Sequence, residues 1–228
     1  MDLKKLFLFA LAIPFLGIAQ SSNDQESTYL DTKGNKVNSQ EFRAAWNNSA
    51  RWDYIDKEGN RVNTLHDTVY LMFDIKYDEF REKLENLTNQ EIPSNATILI
   101  EYVFANDLCS SITPNNSWTT ARISKRKRFM NRHLKELKRD DDYFVVFLFQ
   151  SEIKLDTNPN NDSEYFFSDR NNYFRNNYFI KPTLCGAFAA LKPNGELLIR
   201  NGENRIDLFA QYLKDENWNK FFPEQEDR

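Results

Sequence analysis

From Thr68 onward the apolar residues come in short blocks, and their spacing changes from one block to the next. Thr68–Ile75 (TVYLMFDI) is β-branched and apolar, which predicts a strand. Tyr77–Thr88 carries Phe80, Leu84 and Leu87 on one stripe, the mark of an amphipathic helix, and Pro93 ends it. Ala96–Ala105 (ATILIEYVFA) reads as a buried strand. Thr119–Lys138 places Ile123, Met130, Leu134 and Leu137 on one face of a long helix. Tyr143–Gln150 (YFVVFLFQ) is apolar throughout, so both of its faces are expected to be covered. Leu155–Glu164 is rich in Asn and Asp and predicts a loop; Asp169–Phe179 predicts a short helix. Thr183–Leu191 and Glu196–Arg200 predict two strands joined by the Pro193-Asn194-Gly195 turn, and Arg205–Lys214 a closing helix on Ile206, Phe209 and Leu213. Strands that alternate with helices and end in a hairpin imply a mixed sheet with helices on both faces.

The N-terminal part has a different pattern. Lys4 and Lys5 precede Leu6–Ala19, an uncharged run of 14 residues interrupted by Pro14. As a helix that run would reach roughly 21 Å, short of a bilayer core of about 30 Å. Gly17 and Ala19 then place small residues before a cut at Gln20, as in a secretory signal peptide. The other reading is an N-terminal membrane anchor. No later run is long enough to span, so no membrane span is expected after cleavage. Ser21–Ser27 is a polar leader. Tyr29-Leu-Asp-Thr-Lys-Gly34-Asn-Lys-Val-Asn38 then recurs as Tyr54-Ile-Asp-Lys-Glu-Gly59-Asn-Arg-Val-Asn63. Each copy predicts a small hairpin around its Gly-Asn turn, either two similar β-turns or a small docking module.

The expected organisation is therefore a signal peptide over 1–19, a leader with hairpin-like repeats over 20–67, a main domain over 68–214 and a tail over 215–228. Loss of Asp2, Lys4 and Lys5 would move the formal net charge from −4 to −5, which gives no global attraction to nucleic acid. The 19 Phe and 10 Tyr supply ample core material. Two cysteines, Cys109 and Cys185, permit one disulfide in an oxidising compartment. His66 and His133 are far apart and form no metal motif with them. No triad order, phosphate loop or cofactor motif is present, so no cofactor and no metal are expected.

The element order, together with two of its junctions, resembles thioredoxin-like proteins. Leu99–Ala105 followed by Asn106-Asp107-Leu108-Cys109 is similar to that family's central strand ending in an active-site cysteine. Ile180-Lys181-Pro182-Thr183-Leu184 with Lys192-Pro193-Asn194-Gly195 is similar to the family's Pro-Thr strand opening and hairpin. The fold implied is a thioredoxin-like mixed sheet flanked by helices, with a small N-terminal β-hairpin appendage. The resemblance implies a cis Pro182, Cys109 at a helix start and Glu101 as a buried proton-moving carboxylate. The chain departs from the family at Cys109-Ser110-Ser111-Ile112, where the second cysteine of Cys-x-x-Cys is replaced.

Each candidate site has two readings. Cys109 is a reactive thiol favoured by a helix dipole, or a structural cysteine beside Asp107, whose charge would oppose ionisation. Cys185 is a small buried strand residue, or the partner of Cys109 in a disulfide. Nine Lys or Arg between Arg122 and Arg139 are the solvated face of a docked helix, or a polyanion site. The seven aromatics of Tyr165–Phe179 pack a sheet edge, or form an exposed recognition surface. Two functions follow: an exported, non-catalytic binding or accessory module serving an unknown envelope protein, or a thiol–disulfide redox protein acting through Cys109 alone. With one cysteine in the motif, escape from a mixed disulfide needs an outside thiol or Cys185, which ranks the binding module first.

Overall fold

The computed structural model describes residues 27–109, 111, 113–114, 116–139, 142–158, 161 and 163–223. The signal-peptide reading of 1–19 lies outside them, as do Ser110 and Ile112. The N-terminal part holds β1 (Thr28–Leu30), α1 (Ser39–Trp46), β2 (Ala50–Ile55) and β3 (Arg61–His66), with strand order β1-β3-β2. The two sequence copies fold into matching turns. The Asp31 and Asp56 N–H groups donate to the Asn35 and Asn60 carbonyls at 2.9 Å. Each Asp Oδ1 in turn accepts the N–H of that same Asn at 2.8 Å. The copies diverge at their last residue. Asn63 stays in β3, whereas Asn38 caps α1, accepting the Gln40 and Glu41 N–H groups while Glu41 accepts its own. The expected hairpin appendage is thus a three-stranded sheet carrying a helix.

The main sheet follows. Its elements are β4 (Tyr70–Asp74), α2 (Tyr77–Thr88), β5 (Thr97–Val103), β6 (Ser117–Trp118), α3 (Thr120–His133), β7 (Tyr143–Gln150), β8 (Lys154–Leu155), β9 (Phe166–Asp169), α4 (Tyr173–Asn177), β10 (Ala187–Leu191), β11 (Glu196–Asn201), α5 (Ile206–Phe209) and α6 (Asp215–Trp218). Six strands lie in the order β4-β11-β10-β5-β7-β9, and β6 pairs separately with β8. β5, β7 and β9 run parallel, with Ile100 opposite Val146. β10, β11 and β4 add antiparallel neighbours on the other side of β5.

Both faces of this sheet are covered, which is why β5 and β7 are apolar without alternation. Phe80 and Leu84 of α2 and Phe174 of α4 pack with Ile98, Ile100, Tyr102, Val146 and Leu148. Ile123 and Met130 of α3, Phe209 of α5 and Trp218 of α6 pack with Leu99, Phe147, Phe149 and Phe188. Each such side chain stabilises the fold by about 1.5–3 kcal/mol relative to exposure. This is the expected mixed sheet flanked by helices. Three expectations change. Phe166–Asp169 is a strand, and the expected tail opens on α6, whose Trp218 is buried and donates its Nε1–H to Glu196 Oε2 at 2.6 Å. β10 begins only at Ala187, after a turn through Cys185 (φ +64°) and Gly186 (φ +86°).

A Cβ on Gly186 would lie 2.6 Å from the Tyr102 carbonyl oxygen, whereas one on Gly59, also at positive φ, would meet nothing within 4 Å. Gly59→Ala is expected to cost about 1 kcal/mol, the left-handed penalty alone. Gly186→Ala should cost at least twice that, because backbone must shift. Urea denaturation compares them; equal losses would contradict the close approach.

Candidate functional site

β5 ends at Val103, and the chain turns through Asn106, which is left-handed at φ +62°. Its amide donates to Asn116 Oδ1 and its Oδ1 accepts from Asn116 Nδ2, both at 2.8 Å. Beyond the turn, Cys109 is bonded to Cys185 across 76 residues, with Cα atoms 4.9 Å apart. Of the two readings of each cysteine, the bonded one holds. Cys109 does not stand at a helix start. Among the described residues the next helix, α3, begins at Thr120 with Thr119 as its cap, after β6.

Pro182 is also not as expected. The described residues contain no cis peptide bond. The trans form is the ordinary one for X–Pro, and the chain reverses further on, at the two left-handed residues Cys185 and Gly186. Thr183 secures that turn: its Oγ1–H donates to the Gly186 carbonyl at 2.7 Å, and its own carbonyl accepts the Gly186 N–H.

Asp107 sits against the disulfide. Its Oδ1 accepts the Cys109 N–H at 2.8 Å. Burial pushes its carboxyl up to about 6, and the nearby Asp53 adds to the rise; the N–H groups of Cys109, Cys185 and Gly186 oppose it. Asp53 is fully buried in β2. Arg51 grips it with two bonds of 2.6 Å, and Arg61 from β3 adds a third at 2.6 Å. Arg51 also reaches Asn63 Oδ1 at 2.9 Å.

The N-terminal sheet docks on this end of the molecule. The Leu184 N–H donates to the Arg51 carbonyl at 2.7 Å, so the segment between Pro182 and the disulfide is hydrogen-bonded to β2. Trp52 meets Phe104 edge-on at 6.2 Å, and Lys181 pairs with Asp67 at 3.4 Å. His66, beside Lys181, is pushed below its ordinary value by burial and by that cation. None of Arg51, Trp52, Asp53 or Arg61 was singled out from the sequence. The three charges lie in a short stretch, but their convergence exists only once β2 and β3 pair.

Glu101 is buried as expected, at 5% exposure, but its partner is α3: one oxygen pairs with Arg126 Nη2 at 2.6 Å. Burial holds its pKa above the ordinary carboxylate range against the pull of Arg126. Lys127 pairs in the same way with buried Glu164 and lies over the Tyr165 and Phe166 rings. The inward cations of α3 thus answer two buried acids, while Lys125, Arg128, Arg132 and Lys135 face solvent. Most of the aromatic segment packs inside. Tyr165, Phe166, Phe167, Phe174 and Phe179 are buried, and Phe179 stacks on Tyr102 at 4.3 Å. Asp169 within it accepts the Tyr102 hydroxyl at 3.0 Å and the Arg175 N–H at 2.9 Å. Among the described residues no cluster of His, Cys, Asp and Glu fits a metal ion.

No family model matches the chain, and no curated protein matches it. Among solved structures, the pneumococcal exposed lipoprotein thioredoxin from Streptococcus pneumoniae aligns with 73% of this chain and 99% of its own, at 11% identity and a TM-score of 0.34. That likeness is too loose to carry residues across.

Asp107 generates a pH prediction. Its folded pKa of about 6 stands above the ordinary 3.8. Between those values the folded state holds the extra proton, so its contribution to stability falls as pH rises from about 4 to about 6. Asp107→Asn retains an acceptor for Cys109 but removes the titration. Denaturation at a series of pH values should show a shallower decline for the variant; identical slopes would contradict the assignment.

Proposed function

We propose that the chain is an exported protein of thioredoxin-like fold that works as a binding or accessory module of the cell envelope, with its cysteine pair serving as a structural closure. The observation that carries this reading is the bond from Cys109 to Cys185, at an end of the sheet already occupied by β2 of the same chain. A cysteine engaged this way offers no resident thiolate for exchange. The missing second motif cysteine argues in the same direction. A disulfide, a signal-like N-terminus and, among the described residues, no helix long and apolar enough to cross a membrane fit an exported location.

The alternative is a redox protein in which Cys109 and Cys185 cycle together. It draws on two observations: both cysteines are partly exposed, and the Asp107 carboxyl, which accepts the Cys109 N–H at 2.8 Å, is pushed up to about 6. Thiol trapping separates the two. In protein recovered as exported, both cysteines should resist alkylation before denaturation, in plain buffer and in glutathione alike. The Cys185→Ser chain, which frees Cys109, should capture no envelope protein. Ready reduction by glutathione, or a mixed disulfide on Cys109, would establish the redox reading instead.

A further inference from the structure

Among the described residues β4 ends the main sheet, and its hydrogen bonding fixes which way each backbone group points. The Ile75 N–H donates to the Gly195 carbonyl, and the Asn201 N–H donates to the Val69 carbonyl. With Phe73 opposite Leu197 and Leu71 opposite Ile199, residues 69, 71, 73 and 75 form the hydrogen-bonded pairs with β11. Tyr70, Met72 and Asp74 therefore turn their N–H and C=O groups to the open edge. Such an edge is a template for another strand unless charge, proline or a bulge blunts it. Tyr70–Asp74 (YLMFD) contains no proline, and its one charge is at the end. At its centre Met72 is 50% exposed, the one strand residue among the large apolar side chains left exposed in the described residues.

We propose that this edge pairs with β4 of a second copy of the chain, antiparallel about a two-fold axis at Met72. The occupant follows from the symmetry of the edge. An isologous contact requires a surface to complement itself. In the register centred on Met72, all three outward residues of each copy form hydrogen-bonded pairs: Met72 with Met72, Tyr70 with Asp74 and Asp74 with Tyr70. Facing side chains of an antiparallel pair lie on the same side of the sheet, so the two exposed Met72 side chains cover one another. The two Asp74 carboxylates fall at opposite ends of the joint and do not meet. The product is one continuous sheet of two six-stranded halves. A contact of five residues a side is small, so the association is concentration-dependent.

Sedimentation over a wide dilution series tests this, using the oxidised protein expressed with its own N-terminus and purified as the cell delivers it. Twice the chain mass is expected at high concentration, falling to the single chain mass on dilution. Met72→Pro removes the central outward N–H without touching a bond to β11, and should be monomeric throughout with an unchanged circular dichroism spectrum. Met72→Lys keeps the amide but sets cation against cation, and should also be monomeric. Hydrogen exchange gives a second readout. The Tyr70, Met72 and Asp74 amides should gain protection as concentration rises, while Leu71 and Phe73 are protected at every concentration. A single chain mass across the whole series, or a dimer that survives both substitutions, would overturn the proposal.

Discussion

Gly186 enters β10 so close to β5 that the Tyr102 carbonyl leaves no room for a side chain, and this approach shapes the end of the molecule that holds the disulfide. Cys185, just before it, is left-handed, and its Cα lies 4.9 Å from that of Cys109. The bond between them closes a loop that contains α3, β7, β9 and α4. In the chain-entropy picture, closing a loop of this length disfavours the unfolded state by about 4 kcal/mol. The same turn orients three backbone amides: those of Cys185 and Gly186 act on Asp107, and that of Leu184 points at Arg51. The disulfide, the perturbed carboxyl and the docking of the N-terminal sheet share one piece of geometry.

Charge is used inside this protein rather than displayed by it. Asp53 is neutralised by two arginines, Glu101 by Arg126 and Glu164 by Lys127, and all three acids are buried. Removing one member of such a pair leaves its partner charged and desolvated, which costs far more than the pair is worth. The basic character of α3 follows from this: Arg126 and Lys127 reach inward to acids on β5 and on the approach to β9, and the remaining cations keep the outer face in water. Asp107 is answered differently: backbone N–H groups are its counterweight, and burial together with the nearby Asp53 pushes its carboxyl up to about 6.

Elements with a local signature were legible in the sequence. α2 spans the residues its apolar stripe marked, because Phe80 and Leu84 need only the one sheet face they cover. β7 was legible because seven apolar residues in succession, Tyr143 to Phe149, leave no solvent face. β9 was not: Phe166 and Phe167 are adjacent and both buried, so neither the alternation of a half-buried strand nor a long apolar run marks them. α1 was hidden because Asn38 can end a turn or cap a helix, and only the capping box with Glu41 decides which. At the site, the two cysteines could be named but not joined, since their distance is a tertiary quantity. Asp53 was invisible for the same reason: its partners Arg51 and Arg61 converge only through the register of β2 and β3.

Because the Leu184 N–H donates to the Arg51 carbonyl one residue before the bonded Cys185, the Cys109–Cys185 bond is expected to hold the N-terminal sheet onto the end of the main sheet. Residue-resolved hydrogen exchange of the oxidised and the reduced protein measures this directly. On reduction, the Leu184 amide and the β2 amides around Trp52 should exchange much faster, while the amides of β5 and β7 keep their protection. Unchanged exchange at Leu184 after complete reduction would mean that the sheet docks without the bond, and would contradict the claim.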